Sequence, residues 1–470
     1  FPYTTLFRSY RPRKHLEINA GGIEKGDFTM VLGYPGSTTQ YLYSEAVKHT
    51  MERSLPAMIA LRDVRLEIMD RYMDQSDRIR IQYSTKYRRV SNAWKKWQGM
   101  ILGLNRNRVV EVKKQKEKAF SDWVRSDGER MLKYGSLLED FQRLYLEIER
   151  YSVAEDMISE AVNAVELFRF YSRISVMMRR GVKPESLEAR ITQFYKDFHL
   201  PIDREIFPVM MEAYRTGLDA DFHPAFFAEV DRRYQGDFER LADRLYKRTL
   251  FREKDEVIQL LDRYRKDPSK AIDRLEKDPL AELAMQFKHL QLTRITPEFQ
   301  RLESEIERRY RTYMTALMEQ AGDKRLYPDA NFTMRLTYGE IEGYEPRDGV
   351  QYTYQTTLEG VIEKSGEPFE DYRIPAKLNE LYREKDYGRY GVNGTMPVCF
   401  IASNHTSGGN SGSPVLDAEG RLIGINFDRN WEGTMSDFIY DAGQCRNITL
   451  DIRYVLFIID QFAGAGYLID

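Results

Sequence analysis

The chain has 470 residues, which is long enough for two or more domains. Its 71 basic and 73 acidic side chains leave a net charge of −2, so the composition gives no electrostatic attraction for nucleic acid. No apolar run approaches the roughly 18 residues of a membrane span. The chain starts with FPYTTLFRS, without an initiator Met or a signal segment, and it ends within apolar sequence. We therefore expect residues 1–9 to be non-native and the chain to be a fragment.

Residues 10–44 are predicted to be a β segment. The stretch DFTMVLGYPGST is a short run of strand-forming residues that closes on a Tyr-Pro-Gly turn.

Residues 45–324 are predicted to form an all-helical domain. Apolar side chains recur at spacings of three and four among dense charge, as in MIALRDVRLEIMDRYM. Asp267, Asp278 and Thr296 each precede a proline, which predicts three helix starts with a capping side chain. The frequent prolines argue against a coiled coil.

Residues 325–470 return to β patterning. Short apolar runs such as MPVCFIASN, SPVLD and RLIGINFD are separated by Gly, Asn and Asp turns, whereas ITLDIRYVLFIIDQFAG is predicted to be a closing helix. The order predicts one β domain, built from 10–44 and 325–470, with the helical block inserted as a cap.

One stretch has the composition of a catalytic loop. In TSGGNSGSPV, residues 406–415, Ser411 stands among glycines and strand-like sequence follows. Acyl transfer needs a nucleophile and backbone N–H groups aimed at the developing oxyanion, which we assign to Gly409 and Ser411. Gly412 leaves room for substrate. On composition alone a plain glycine-rich turn explains the loop about equally well, whereas a phosphate loop would need a Gly-Lys-Ser/Thr and a helix after it.

The motif resembles the nucleophile region of chymotrypsin-like serine peptidases. With the helical insertion, GINFDRNWEGTMSDF (424–438), PRKHLEINAGG (12–22) and GDFTMVLGYPGST (26–38), the chain resembles the bacterial serine dipeptidyl peptidases that carry a helical cap. The resemblance implies a multidomain α and β chain, with a chymotrypsin-like double β-barrel, incomplete here, and a large all-α insertion domain. It also implies export to the periplasm or cell surface, a homodimer, and peptide substrates with a free N-terminus.

The same resemblance assigns the substrate-binding residues. Arginine after the Phe-Asp pair goes with Asp or Glu at the second (P1) substrate position, and here that residue is Arg429. A guanidinium binds a carboxylate through two parallel hydrogen bonds. Asp428 would bind the substrate ammonium, with Asn92 from the cap as a polar partner, and Phe427 would line the subsite. Without the resemblance to this family, Arg429 would be interpreted more simply as a solvent-exposed residue of a hairpin.

The catalytic base and its orienting acid are predicted to lie upstream of this chain. In the family they precede the PRKHL segment, so neither Asp27, in a similar GDF context, nor any histidine of this chain is expected to serve. The six histidines are His15, His49, His199, His223, His289 and His405.

We therefore expect an enzyme that releases N-terminal dipeptides with Asp or Glu in second position, without metal or other cofactor. No His/Cys cluster has ligand spacing. Cys399 and Cys445 are more simply free thiols than a pair. Two alternatives stay open: an endopeptidase of the same fold, and a non-catalytic helical interaction protein.

Overall fold

The computed structural model describes residues 12–367 and 372–469 and divides the chain into two units. One unit is Tyr43–Leu326, and the other joins Phe1–Leu42 to Tyr327–Asp470. The prediction that residues 1–9 are non-native falls outside the described residues.

The described residues of the unit Tyr43–Leu326 form fifteen α-helices, besides short 3₁₀ and π segments, because apolar side chains repeat with the helical period along most of its length. They are α1 Ser44–His49, α2 Leu55–Gln75, α3 Asp77–Arg106, α4 Val109–Arg125, α5 Gly128–Tyr134, α6 Leu137–Glu160, α7 Glu166–Arg179, α8 Pro184–Lys196, α9 Leu200–Gly217, α10 Phe226–Tyr234, α11 Phe238–Arg248, α12 Lys254–Lys266, α13 Pro268–Glu276, α14 Pro279–Leu290 and α15 Thr296–Ala321.

Two of the three predicted helix caps are present. The Asp267 side chain accepts a hydrogen bond from the backbone N–H of Lys270 at 3.1 Å. The Asp278 side chain accepts from Leu280 N at 2.9 Å and Ala281 N at 3.3 Å. In both helices proline takes the first helical position, where no N–H is needed.

The cap predicted at Thr296 is wrong, because the chain is already helical there. A π-helical segment, Gln291–Ile295, connects α14 directly to α15, and the Thr296 hydroxyl donates to Glu155 Oε1 at 2.5 Å instead. The π segment Thr50–Ser54 connects α1 to α2 in the same way. Pro56 and Pro297 each lie two residues after the end of one of these π segments. Because proline has no backbone N–H to donate, the preceding turn is widened to the π geometry and the helix continues through the proline.

Asp203 of α9 is a buried carboxyl group in the core of this unit. It accepts hydrogen bonds from the N–H groups of Glu166 and Leu167 at the start of α7 and from the Tyr246 hydroxyl at 2.8 Å. Burial, and next the nearby Glu166, raise the pKa of Asp203 to about 7. Its partner Tyr246 belongs to the buried apolar core of this unit, where the Tyr246 ring lies edge-on to Phe207 with the ring centroids 6.0 Å apart.

The other unit contains a seven-stranded antiparallel sheet and a separate two-stranded hairpin. The strands are β1 Phe28–Gly33, β2 Arg335–Glu340, β3 Tyr344–Arg347, β4 Val350–Tyr352, β5 Gln355–Thr357, β6 Pro397–Ala402, β7 Ser413–Leu416, β8 Leu422–Arg429 and β9 Asn447–Asp451. The order in the large sheet is β2-β1-β7-β8-β9-β6-β5, and β3 pairs with β4.

This sheet curls into a half-barrel. Ile341, directly after β2, forms an isolated bridge with Ala402 of β6, although the two strands are far apart in the sheet order. Val31, Phe400 and Val415 are buried on the inner side of the curl. The two units confirm the expected multidomain α and β chain at this coarser level. The half-barrel carries the Ser411 loop between β6 and β7.

The closing helix predicted over ITLDIRYVLFIIDQFAG is wrong in its first part. Asn447–Asp451 is a strand because alternate side chains are buried and both β6 and β8 pair with it. The helix α18, Ile452–Phe457, begins only where the Asp451 carboxylate caps the N–H of Arg453. The region predicted as β also contains two short helices, α16 Leu358–Lys364 and α17 Ala376–Glu384.

Within residues 12–367 and 372–469, no helix combines the length and apolarity needed to cross a membrane.

Candidate active site

The loop that carries Ser411 is held by buried amide side chains. The Asn410 side chain accepts a hydrogen bond from Ser407 N at 3.0 Å, and the Asn410 carbonyl accepts one from Nδ2 of Asn426 at 3.1 Å. Asn447 Nδ2 donates in turn to Asn426 Oδ1 at 3.0 Å. Because all three asparagines are buried, these bonds fix the loop firmly to β8 and β9.

Gly409 adopts a backbone conformation that requires glycine. Its φ is +107°, and a Cβ built there would lie 2.4 Å from the Tyr34 carbonyl oxygen and 3.0 Å from Gly36 N. The segment around Tyr34 is held close to the loop, because Gly36 N donates to the Gly408 carbonyl at 2.6 Å. The glycine is needed here both for its φ and for this close approach of two backbones.

The Ser411 side chain is exposed, and its Oγ donates a hydrogen bond to the Phe427 carbonyl at 3.1 Å. In the described part of the chain, the N–H groups of Gly409 and Ser411 donate to no acceptor. The N–H of Gly412, by contrast, is bonded to the Asn426 carbonyl at 2.7 Å. An exposed hydroxyl beside two unengaged N–H groups is the arrangement that acyl transfer needs.

A β-bulge in β8 shapes the surface next to Ser411. Asn426 pairs with Thr449 and Asp428 pairs with Ile448, so Phe427 is an extra residue without a partner on β9. The bulge leaves the Phe427 carbonyl outside the ladder, where it accepts the Ser411 hydroxyl. Both Phe427 and Asp428 are exposed.

The two neighbours Asp428 and Arg429 differ in exposure. The Asp428 carboxylate is at the surface and accepts a hydrogen bond from the backbone N–H of Arg429 at 2.8 Å. The Arg429 side chain is only 11% exposed. One residue therefore offers an accessible negative charge, and the next holds a largely buried positive charge.

Arg429 is paired with Asp437, a residue that the sequence analysis missed. Arg429 Nη1 donates to Asp437 Oδ1 at 2.8 Å and Nη2 donates to Oδ2 at 3.0 Å. Nη1 also donates to Ser436 Oγ at 2.7 Å and is 3.4 Å from the Thr406 carbonyl oxygen. Asp437 lies eight residues after Arg429 in the stretch quoted above, but nothing in the pattern distinguishes it from the other acidic side chains there.

His405 is not hydrogen-bonded to Ser411. Its Nε2 hydrogen-bonds the Ser436 carbonyl at 2.9 Å, and burial lowers the pKa of the imidazole. In the described part of the chain, no histidine or carboxylate is hydrogen-bonded to Ser411 Oγ. Asp27 lies in an exposed turn, where its Oδ2 accepts the N–H of Glu24 at 2.7 Å.

Asn92 lies on α3 in the helical unit, with its side chain exposed. Its contact with the substrate N-terminus stays a prediction. Cys399 and Cys445 are free thiols, and burial raises the pKa of each to about 11. Across the described ranges, no group of three or more His, Cys, Asp or Glu side chains is arranged to hold a metal ion.

Comparison with known proteins gives consistent matches along the chain. The model of the family Peptidase S46 matches residues 2–470. An Asp/Glu-specific dipeptidyl-peptidase of Flavobacterium psychrophilum is 38% identical over 98% of this chain and 65% of its own length. Dipeptidyl-peptidase 7 of Phocaeicola vulgatus is 33% identical over 98% of this chain and 64% of its own length.

A solved structure also matches both units. The crystal structure of Porphyromonas endodontalis DPP11 in complex with the dipeptide Arg-Glu superposes with a TM-score of 0.82 and 31% identity. The match covers 98% of this chain and 66% of that one. The chain thus spans about two thirds of the length of the proteins it matches, 65% in the Flavobacterium relative.

Proposed function

The chain belongs to the peptidase S46 family, and from this premise we propose that the full-length protein is a serine-type dipeptidyl peptidase. By full-length protein we mean this chain together with the part of the family's length that it does not span. The enzyme releases N-terminal dipeptides with Asp or Glu in the second position. Two of the relatives that support this are Asp/Glu-specific dipeptidyl-peptidases, and DPP11 has been solved with Arg-Glu and with Arg-Asp.

The observation that carries the proposal is the arrangement of the Ser411 loop on β8. Ser411 Oγ is bonded to the carbonyl of Phe427, and the buried cation Arg429 lies two residues further along the same strand. A substrate carbonyl attacked by Ser411 would place its oxygen toward the unengaged N–H groups of Gly409 and Ser411. The side chain of the second substrate residue would then extend toward the Arg429 guanidinium, which can donate two hydrogen bonds to a carboxylate.

Asp428 gives the site its exopeptidase character in this proposal. An enzyme that removes two residues must bind the free ammonium at a fixed distance from the nucleophile. The exposed Asp428 carboxylate lies next to Arg429 on β8, so ammonium and P1 side chain would be bound by adjacent residues. Asn92 is proposed to assist at the ammonium, and Phe427 to line the subsite.

The general base and its orienting acid are proposed to be a histidine and an aspartate in the part of the family's length that this chain does not span. Ser411 Oγ would transfer its proton to that histidine on attack, and the imidazolium would protonate the leaving amine. No metal or other cofactor takes part.

The half-barrel is proposed to be one half of a chymotrypsin-like double β-barrel. One face of the β1–β2 pair is apolar and uncovered in this unit. Its large side chains are 37% to 72% exposed: Phe28, Leu32, Leu336 and Tyr338. The register places Leu32 opposite Leu336, so the side chains share one face. Such a patch marks a contact surface, which the other half-barrel would cover.

The resemblance to the family also supports two proposals on the assembly and the compartment. The full-length protein is proposed to be a homodimer, which light scattering would test. It is proposed to act in the periplasm or at the cell surface, which cell fractionation would test.

The decisive experiment compares two serines of one loop in the full-length protein. Ser411→Ala is expected to lower kcat by at least about 10⁴-fold on a Leu-Asp-chromophore substrate and to abolish fluorophosphonate labelling. The matched control is Ser407→Ala. Within the described residues the Ser407 hydroxyl donates only to the Ser37 carbonyl, at 3.3 Å, so this variant should leave kcat unchanged. Labelling or turnover that survives in Ser411→Ala would refute the serine mechanism.

Substrate scope distinguishes the alternatives. The full-length protein should cleave Leu-Asp- and Leu-Glu-chromophore substrates well, and an amino-acetylated Leu-Asp substrate poorly. Equal cleavage of the acetylated substrate would indicate an endopeptidase instead. The 470-residue chain by itself is expected to give no turnover, since a serine without its base loses several orders of magnitude in rate.

A further inference from the structure

Phe332, in the segment that leads into β2, combines a strained backbone with an exposed ring. Its φ is +63°, a left-handed conformation that a bulky side chain rarely adopts. The side chain is 70% exposed, so burial of the ring does little to offset this strain. A strained residue persists only where the surrounding structure holds it in place, and such residues cluster at functional sites.

Hydrogen bonds tie the chain around Phe332 to the segment that follows β1. The Asp329 carboxylate accepts the Thr38 hydroxyl at 2.6 Å. The Phe332 N–H donates to the carbonyls of Pro35 at 2.9 Å and Gly36 at 3.0 Å. Because β1 and β2 are also paired residue by residue, the backbone of Phe332 is held firmly in its left-handed conformation.

The Phe332 ring lies against the Ser411 loop. A Cβ built on Gly409 would lie 3.5 Å from Phe332 Cε1, and one built on Gly36 would lie 3.2 Å from Phe332 Cε2. One edge of the ring therefore packs on the backbone of Gly409, whose N–H is a proposed oxyanion donor. The rest of the ring is open to solvent beside the nucleophile.

The sheet order places Phe332 across the nucleophile from the residues assigned to the substrate's first two positions. Strand β7 begins directly after the Ser411 loop and has β8 on one side and the β1–β2 pair on the other. Asp428 and Arg429 lie on β8, whereas Phe332 lies just before β2. A peptide bound by β8 at its ammonium and P1 side chain would carry its leaving part away from β8, past Gly409 and toward Phe332.

We propose that Phe332 forms the P1′ subsite, which binds the residue after the scissile bond, and that it selects apolar and aromatic side chains there. This inference rests on the function proposed above. An apolar P1′ side chain would cover the exposed part of the ring and remove it from water, and an aromatic one would also stack on it. Because the backbone is already fixed, binding orders little of the enzyme, which favours affinity.

The experiment compares the wild type with Phe332→Gly in the full-length protein on two peptides, Leu-Asp-Phe-Ala and Leu-Asp-Gly-Ala. Glycine adopts a φ of +63° without strain, so the variant loses the ring and keeps the backbone. Release of Leu-Asp gives kcat/KM for each peptide. The wild type should prefer Phe over Gly, and the Phe-to-Gly ratio should fall roughly twofold to tenfold in Phe332→Gly, the worth of one aromatic contact.

Two further variants separate substrate binding from a structural role. Phe332→Tyr keeps the ring and should keep the wild-type Phe-to-Gly ratio. Leu336→Ala is the matched control, because Leu336 is 57% exposed on the apolar face that the other half-barrel is proposed to cover. It should change kcat/KM on both peptides by the same factor. Each ratio is taken within one variant, so it does not depend on the fraction of protein that is folded.

The outcomes distinguish this inference from the proposed function. If the wild type releases Leu-Asp without preferring Phe over Gly, or if Phe332→Gly behaves as Leu336→Ala and keeps the wild-type ratio, the inference fails alone. If the wild type releases no Leu-Asp from either peptide, the proposed function fails and the inference fails with it.

Discussion

Gly409→Ala gives the sharpest test of the nucleophile loop. Alanine at φ +107° costs about 1–2 kcal/mol for the backbone alone. Its Cβ would also lie 2.4 Å from the Tyr34 carbonyl oxygen, and overlap of this kind in a packed site costs about 1–3 kcal/mol more. We therefore expect the free energy of unfolding to fall by about 2–5 kcal/mol, the sum of these two terms.

Two glycines of the same loop are matched controls for the two terms. Gly412→Ala carries a φ of +85° but meets no atom within 4 Å, so only the backbone cost of about 1–2 kcal/mol applies. Gly408→Ala has neither a positive φ nor a neighbour within 4 Å, and its stability should change by less than about 0.5 kcal/mol. Chemical denaturation of the three variants measures the series.

Gly409→Ala should also lower kcat. A shift of the loop would move the Gly409 N–H away from the proposed oxyanion position, and loss of one such donor lowers kcat about 10²–10³-fold. The assay is kcat and KM of the full-length protein on a Leu-Asp-chromophore substrate, with Gly408→Ala as the reference. If Gly409→Ala equals Gly408→Ala in both stability and kcat, the loop is not held as described and the oxyanion assignment fails.

Three further predictions concern single carboxyl groups. Asp428→Ala should lower kcat/KM on substrates with a free amino terminus but leave the Glu-to-Leu ratio nearly unchanged; an equal loss on amino-acetylated substrates would contradict its proposed role at the ammonium. Asp203, with its pKa raised to about 7, is protonated in the folded state at pH values where the same carboxyl group is ionised in the unfolded chain. The free energy of unfolding should therefore fall by a few kcal/mol as the pH rises from about 4 to 7. Denaturation curves of Asp203→Asn should show a weaker pH dependence, and an unchanged pH dependence would refute this. Asp278→Ala should cost more than Asp267→Ala, about 0.5–2 kcal/mol for the exposed cap alone, because the buried Asp278 also accepts the Leu250 N–H and the Thr249 hydroxyl; equal unfolding midpoints would contradict this.

The sequence predicted the helical unit well because its stability depends on a local repeat. Apolar side chains at helical spacing and the caps Asp267 and Asp278 can be recognised without any knowledge of distant contacts. The predicted limits, residues 45–324, and the observed unit, Tyr43–Leu326, differ by two residues at each end. The cap at Thr296 failed because a π turn is not visible in the pattern of apolar residues.

The strands of the β unit were harder to predict from the sequence, because each strand depends on partner strands far along the chain. Residues 448–451 of the strand Asn447–Asp451 were predicted as helix, since their alternation is short and an amphipathic helix follows directly. At the candidate site, the glycines and Ser411 were visible as a motif. The bulge at Phe427 and the Asp437 partner were not, because both depend on the register between β8 and β9 and on the path of the segment that follows.

The bulge in β8 limits which mutations this site can tolerate during evolution. Ser411 is bonded to the extra residue, Phe427, while Asp428 and Arg429 follow it on the same strand. Deleting one residue there would remove the acceptor of the nucleophile and draw both charged residues toward the loop at once. Replacing a side chain at position 428 or 429 leaves the backbone untouched. Evolution can therefore change the side chains at positions 428 and 429 without moving the Ser411 loop, whereas a change in the length of β8 would move both at once.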